Sequence, residues 1–273
     1  MQKKLAINIL ALSLLSQAPF AVAHEVWVEP EHTHGGEILK ANLGYGDFPE
    51  LKPIAADRQH IFKKPLQLVT AQGTEDLIAV KGGQNYQFQT QKAVENGSYL
   101  LLAEYSPTFW SENKDGWKQV DMTAMPDAKY CEQTQMYGKN VVNVGHHANS
   151  KDIVTKPVGQ GLEIVPMDNP ANARVGEPFG LKVLFNGEPL ANEIVVATFE
   201  GFVKKDPNDK VHKLEPQAFS DTTRSDGTVK LYPLRQGFWK VRVVHKSDFP
   251  NPQQCQKLAS YATLSFVIGK AAH

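Results

Sequence analysis

The chain has 273 residues, with 29 Lys and Arg side chains against 29 Asp and Glu side chains. This balance, with no basic cluster, argues against nucleic acid and anionic membranes as partners. The length suffices for one large domain or two ordinary ones, and the ordinary aliphatic and aromatic content predicts a packed core.

The N-terminal segment has the features of a secretory signal peptide. Two lysines precede an apolar run over residues 5–15, and an A-x-A cleavage site ends at Ala23. We therefore assign residues 1–23 to a signal peptide, with His24 as the first residue of the mature protein. No later apolar run is long enough to span a membrane, so we expect a periplasmic protein without a direct membrane anchor.

A histidine at a new N-terminus carries two metal-binding nitrogens, its α-amine and its ring Nδ1. Both suit Ni²⁺, Co²⁺, Cu²⁺ or Zn²⁺, which can displace the amine proton near neutral pH. His24 is therefore the first candidate metal ligand. His32 and His34 follow in EPEHTHGGE. Alternate residues of an extended segment face the same side, so these two imidazoles are expected to converge as further ligands.

Most of the first half consists of short segments that alternate apolar and polar residues between Gly, Pro, Asn and Asp, which predicts β-strands. Residues 123–139 are the exception, and here the sequence favours one or two short helices. His146, in NVGHHANS, is the last candidate metal ligand of this half.

Cys131 and Cys255 are the two cysteines of the chain. An isolated pair in an oxidising compartment most simply forms a disulfide, and we predict one here. Metal ligation by the two thiolates is the alternative, which the lack of C-x-x-C spacing disfavours. The disulfide would join the middle of the chain to its C-terminal strands.

A polar stretch with Gly and Pro, near residues 150–161, divides the chain. We predict an N-terminal β-sandwich domain for metal capture over residues 24–157 and a second β-sandwich domain over residues 158–273. In the second part, Asn186-Gly187 and Asp226-Gly227 favour positive φ and predict hairpins. Its D-G-T-V and G-x-W-x-V strands resemble those of immunoglobulin-like or transthyretin-like modules. The predicted fold class is all-β, with two sandwich domains.

Three stretches give the chain a family resemblance: HEVWVEP, AEYSPTFWSENKDGWKQ and PLRQGFWKVRVVHK. It resembles the periplasmic components encoded with nickel and cobalt uptake transporters, whose mature chains start A-H-[DE]-x-W-[LV]-x-P. His24, Glu25, Trp27 and Pro30 match that start, and the resemblance assigns metal ligation to His24 alone. It implies a soluble β-sandwich protein that captures Ni²⁺ or Co²⁺ and passes the ion to the membrane components of a transporter. Some members have a C-terminal hydrophobic span where this chain has SFVIGKAAH, so transfer is expected through protein contact.

Three classes of function stay open at this point. We favour a Ni²⁺- or Co²⁺-binding protein that is not an enzyme, since the motifs G-x-S-x-G, H-E-x-x-H and G-x-G-x-x-G do not occur. A copper carrier, or a histidine-brace copper monooxygenase with an N-terminal His and a second His on one Cu²⁺, would also explain His24. The few methionines give little support to Cu(I) handling. An immunoglobulin-like interaction module that binds no metal is the third class.

Overall fold

A computed structural model describes residues 24–145, 148–202 and 217–269. These residues form 17 β-strands and two single-turn 3₁₀ helices, Gln59–Ile61 and Pro170–Asn172. The strands before residue 145 are β1 (Glu25–Pro30), β2 (Glu37–Gly46), β3 (Gln67–Thr70), β4 (Gly73–Asp76), β5 (Ile78–Ala79), β6 (Gln87–Val94), β7 (Gly97–Asn113), β8 (Gly116–Lys118) and β9 (Tyr130–Val144). Those after it are β10 (Leu162–Pro166), β11 (Phe179–Phe185), β12 (Glu188–Pro189), β13 (Ile194–Phe199), β14 (Phe219–Thr222), β15 (Thr228–Leu231), β16 (Gly237–Asp248) and β17 (Lys257–Ile268).

One nine-stranded sheet extends through both halves of the chain. Its strand order is β14-β13-β16-β17-β9-β7-β3-β4, with β8 also paired to β7. β17 and β9 run parallel, whereas the other neighbours in this sheet are antiparallel. Two four-stranded sheets complete the fold. One has the order β1-β2-β6-β5, and in the other β10, β12 and β15 all pair with β11.

Each small sheet packs on one half of the long sheet and encloses a hydrophobic core. In the first core, Val26 and Val28 of β1 lie with Leu101 of β7 and Met136 of β9. In the second core, side chains of β10 and β11 lie with those of β13, β16 and β17. Burial of these apolar side chains is the main stabilising term of both sandwiches. The predicted all-β sandwich class is confirmed.

The predicted boundary at residue 157 falls between β9 and β10. β9 precedes it and β17 follows it, yet the two strands are hydrogen-bonded neighbours in the long sheet. Ala259 and Tyr261 of β17 also contribute to the first core. The two sandwiches therefore share one continuous sheet. The division into residues 24–157 and 158–273 stays a prediction about separate folding units.

The two predicted hairpin turns have different outcomes. Asn186 and Gly187 have φ values of 51° and 85° and join β11 to β12 as a hairpin, as predicted. Gly227 has a φ of 76°, but its turn carries the chain from β14 in the long sheet to β15 in the small sheet. Val183 N donates to Gly227 O at 2.9 Å, which holds this turn against β11. The tight turn predicted at Asp226-Gly227 forms, since Gly227 N donates to Arg224 O and Arg224 N donates to Thr228 O, both at 2.9 Å, but the two strands that it joins lie in different sheets.

The short helices expected over residues 123–139 are also not found. Turns precede Tyr130, and β9 then continues to Val144. β9 pairs with β7 on one side and β17 on the other. A strand in the middle of a sheet is specified by its neighbours more than by its own propensity, and here those neighbours override the local signal.

The predicted disulfide between Cys131 and Cys255 is confirmed. The two Cα atoms lie 5.1 Å apart, at a sequence separation of 124 residues. Both cysteines are buried, one at the start of β9 and the other just before β17. The bond therefore fastens the two central strands of the long sheet at one end.

Replacing both cysteines, Cys131→Ser with Cys255→Ser, is expected to lower the free energy of unfolding by roughly 2–5 kcal/mol, since the unfolded chain loses a long closed loop. Urea unfolding at neutral pH measures this difference. The wild-type protein under reducing conditions should show a similar decrease. Equal urea midpoints for the oxidised and doubly substituted proteins would contradict the prediction.

Candidate functional site

β1, the first strand after the predicted cleavage site, is fixed to the centre of the long sheet. It pairs with β2 along one side. Thr263 Oγ1 donates to Val26 O and Ser265 Oγ donates to Val28 O, both at 2.5 Å. Asn140 Nδ2 also donates to Val28 O, at 3.2 Å. Side chains of β9 and β17 thus satisfy backbone oxygens of β1 and hold it in place.

Glu25, the residue after His24, is buried and forms ion pairs with Lys240 and Arg242 of β16. Lys240 is also buried, at 1% exposure, whereas Arg242 reaches the surface. Burial by itself raises the pKa of Glu25, but the charges and hydrogen bonds of the two cations outweigh burial and hold the pKa below its ordinary value. The Glu25 carboxylate is therefore committed to this ion-pair cluster, and it anchors the start of β1.

His24 is exposed and lies directly before β1. Its ring meets that of Tyr45 edge to face, with 5.3 Å between the ring centroids and an angle of 72° between the planes. Tyr45 lies on β2 opposite Val26. Alternate residues of a strand share a face, so His24 and Tyr45 are diagonal neighbours.

An aromatic cluster continues from Tyr45 away from His24. The rings of Phe62 and Tyr105 lie 5.3 Å and 5.8 Å from that of Tyr45. Trp110 Nε1 donates to the Tyr105 hydroxyl at 2.8 Å. Burial raises the pKa of Tyr45 above its ordinary value, and the charge of Tyr105 is the second largest cause of this increase. Tyr45 is therefore a neutral phenol at neutral pH, and its contact with His24 is one between two rings.

Sequence reasoning selected neither Tyr45 nor the Glu25 ion pairs. Tyr45 gives no signal of its own, because a tyrosine in a strand of this composition is equally suited to the core. The ion pairs do have a sequence signal: Lys240 and Arg242 lie among apolar residues in GFWKVRVV, and Glu25 stands at the start of the apolar run VWV. A charge inside a buried strand indicates a buried partner of opposite charge.

His32 and His34 lie beyond the other end of β1 and come together, as their spacing predicts. Their Nε2 atoms are 3.3 Å apart and their ring centroids 4.7 Å apart, and both side chains are exposed. A strand advances about 3.3 Å per residue, so the length of β1 alone separates them from His24 by about 17 Å. The candidate histidines therefore form two groups, not one. That either group binds a metal stays a prediction.

His146, the fourth predicted ligand, lies outside the described residues. The chain before it reaches the loop of His32 and His34, where Gly145 N donates to Thr33 O at 3.4 Å. Among residues 24–145, 148–202 and 217–269, no three side chains of His, Cys, Asp or Glu are grouped as metal ligands. The same residues contain no helix long and apolar enough to cross a membrane.

Residues 21–247 match a family described as a domain of unknown function, DUF4198. The chain belongs to this family. The match includes the predicted cleavage site, His24 and the whole of β1, so the candidate site lies inside the family domain. A search of curated proteins finds no match.

Among solved structures, the chain is similar to the D0-D1 domain of intimin, with 12% identity over 89% of this chain and 97% of that one, at a TM-score of 0.21. It is also similar to the human OSCAR ligand-binding domain, with 12% identity over 90% and 100% of the two chains, again at a TM-score of 0.21. At such scores these structures carry no inference about function.

Proposed function

We propose that the mature protein is a periplasmic carrier, not an enzyme, that binds Ni²⁺ or Co²⁺ at its N-terminus and delivers the ion to the membrane components of an uptake transporter. The observation that carries this proposal is the position of His24. It is exposed, next to Tyr45, at the start of a strand that is otherwise fixed by buried contacts.

Glu25 and Trp27 match the N-terminal motif of the nickel and cobalt uptake components, and their roles in the fold support the choice of His24 as the ligand. Glu25 is held in its ion pairs, and Trp27 is fully buried against Gly44, where a Cβ atom would overlap the indole. Both residues have structural roles that explain their presence. His24 has no such role in the core, since its ring lies at the surface, and a histidine there is best explained by a ligand.

Cleavage after Ala23 would supply the chemistry that the side chains alone do not. It creates an α-amine on His24, so that the amine and ring Nδ1 of one residue close a chelate on a single ion. Neutral nitrogen donors of this kind suit Ni²⁺ and Co²⁺. Water or a further side chain would fill the other positions. The disulfide supports an oxidising compartment, where an exported protein would meet the ion.

One observation favours copper as the second candidate ion. Tyr45 lies beside His24, and a histidine-brace copper monooxygenase is expected to have a Tyr or Phe as an axial residue at the metal. Cu²⁺ also binds nitrogen sites more tightly than Ni²⁺ in general. Affinity for Cu²⁺ alone therefore does not decide between the candidates, whereas the presence or absence of tight Ni²⁺ binding does.

Calorimetric titration of the mature protein, starting at His24, with Ni²⁺, Co²⁺, Cu²⁺ and Zn²⁺ tests the proposal. We expect one tight equivalent of Ni²⁺ or Co²⁺ per chain, weakening as pH falls because protons compete for the same nitrogens. Tight binding of Cu²⁺ with no binding of Ni²⁺ or Co²⁺ would favour the copper functions. If no ion binds, the interaction module replaces the metal carrier.

A further inference from the structure

The loop between β1 and β2, residues 31–36, holds His32 and His34 in a fixed arrangement. Thr33 between them is buried, and its Oγ1 donates to Glu31 O at 3.1 Å. With Thr33 turned inward, the two imidazoles stand side by side at the surface. Their convergence therefore follows from the loop and not from a chance pairing of mobile side chains.

Backbone hydrogen bonds to three other parts of the chain brace this loop. Gly35 N donates to Asn96 Oδ1 at 3.1 Å, and Gly36 N donates to Val94 O at 2.7 Å. Glu31 N donates to Lys40 O at 2.9 Å, and Gly145 N donates to Thr33 O at 3.4 Å. A loop braced in this way loses little entropy when its side chains bind a ligand.

The distance between the two imidazoles matches that of two ligands on one metal ion. Imidazole nitrogens lie about 2.0–2.1 Å from Zn²⁺, and tetrahedral geometry then places two of them about 3.3–3.4 Å apart. The observed distance between the Nε2 atoms of His32 and His34 is 3.3 Å. A right angle at the metal would require about 2.9 Å, so the pair as it stands suits a tetrahedral ion better than a square-planar one.

The charge around the pair also suits a cation. Glu31 and Glu37 are exposed next to the two histidines, and His34 N donates to Glu37 Oε2 at 2.9 Å. This bond places a carboxylate at the same loop. Carboxylates near a surface site attract divalent cations and raise their local concentration.

We infer that His32 and His34 form a second metal site, separate from the N-terminus, which holds a divalent ion of tetrahedral preference, Zn²⁺ or Co²⁺, through both Nε2 atoms. The two Nε2 atoms share a hydrogen bond in the structure, and the ion would displace the shared proton to solvent, so that each ring keeps its proton on Nδ1. Water molecules complete the coordination. With two protein ligands from the described residues, both of them exposed, the ion exchanges readily. The site needs neither the α-amine of His24 nor signal-peptide cleavage.

Cobalt is the probe for this site, because tetrahedral Co²⁺ has intense visible absorption bands and octahedral Co²⁺ has weak ones. The protein to titrate is the mature chain with Gly-Pro added before His24. This addition moves the free amine away from the imidazole, and proline has no N–H that could be replaced by a metal. We expect one equivalent of Co²⁺ with tetrahedral bands, which added Zn²⁺ removes.

Substitutions locate the ion. Loss of outer-shell partners of a metal-bound histidine already costs about 10–100-fold in affinity, so His32→Ala or His34→Ala should each weaken Co²⁺ binding at least about tenfold. The double variant should lose the tetrahedral bands. His60→Ala is the matched control, since His60 is also exposed and instead contacts Gln119, at 2.7 Å. It should bind Co²⁺ as the parent does, and thermal unfolding of each variant confirms the fold.

Two results would overturn the inference. One is the absence of Co²⁺ binding by the Gly-Pro protein, and the other is tetrahedral binding that the double variant retains. Failure of the N-terminal site gives a different result. In that case the Gly-Pro addition would not change metal binding, whereas the variant with both His32→Ala and His34→Ala would still lose Co²⁺ binding. Conversely, failure of the second site would leave tight Ni²⁺ binding to the unmodified terminus intact.

Discussion

Addition of Gly-Pro before His24 is expected to abolish tight Ni²⁺ binding by the mature protein. The imidazole of His24 stays in place at the start of β1, beside Tyr45, but the amine is moved two residues away. Linking two donors in one molecule raises affinity by about 10²–10⁴-fold over the separate donors, and the addition removes this gain. Calorimetric titration with Ni²⁺ of the two purified proteins measures the difference.

Two variants separate the amine from the imidazole. His24→Ala keeps a free amine at the terminus but lacks the ring, and it should lose Ni²⁺ affinity to a similar extent. His60→Ala removes another exposed histidine, and its affinity should match that of the mature protein. If the Gly-Pro protein binds Ni²⁺ as tightly as the unmodified one, the N-terminal carrier proposal is wrong, whatever the second site does.

The residues at the two ends of β1 differ in how well the sequence predicts their arrangement. The signal-peptide pattern and the chemistry of an N-terminal histidine predict His24 as a metal ligand, and the two-residue spacing of His32 and His34 predicts their convergence. What spacing along the chain could not predict was the separation of these groups, which depends on where β1 begins and ends. An extended strand of six residues keeps apart residues that a turn at the same place would have brought together.

The sequence predicted less about which strands from distant segments of the chain pair with each other. The alternating pattern predicts an all-β sandwich, but not that β9 and β17 pair in parallel across the expected domain boundary. Parallel neighbours need a long connection, and no local turn signal marks such a pair. The disulfide prediction was the one signal that joined these segments. Its bond between Cys131 and Cys255 lies beside the junction of the two strands.

Glu25→Gln is expected to destabilise the protein by about 3–5 kcal/mol, because it removes one partner of a buried ion pair while the other charge stays buried. Lys240 is that other charge, and it lies beside Glu25. Arg242 is partly exposed, so water can solvate its guanidinium in the variant. Urea unfolding at neutral pH measures the loss. Glu177→Gln, on an exposed turn, is the matched control and should change stability by less than about 0.5 kcal/mol.

The same ion pairs predict how stability depends on pH. The folded-state pKa of Glu25 lies below its ordinary value of 4.5, so the unfolded chain takes up this proton first as pH falls. The stabilisation is therefore complete above the ordinary pKa and is lost as pH falls through the folded-state value. Wild-type protein should lose this contribution on acidification, whereas the Glu25→Gln variant has none to lose. The stability difference between the two proteins should thus shrink in acid.

A double substitution separates the contribution of the ion pair itself from the cost of keeping Lys240 buried after Glu25 is replaced. Glu25→Gln with Lys240→Met removes both buried charges, and apolar replacement of a buried ion pair is often neutral. We therefore expect the double variant to recover most of the stability that Glu25→Gln loses. If Lys240→Met gives no recovery, Glu25 stabilises β1 through Arg242 instead. If Glu25→Gln costs no more than the Glu177→Gln control, the ion pairs do not hold β1 in place, and the fixed position of His24 needs another explanation.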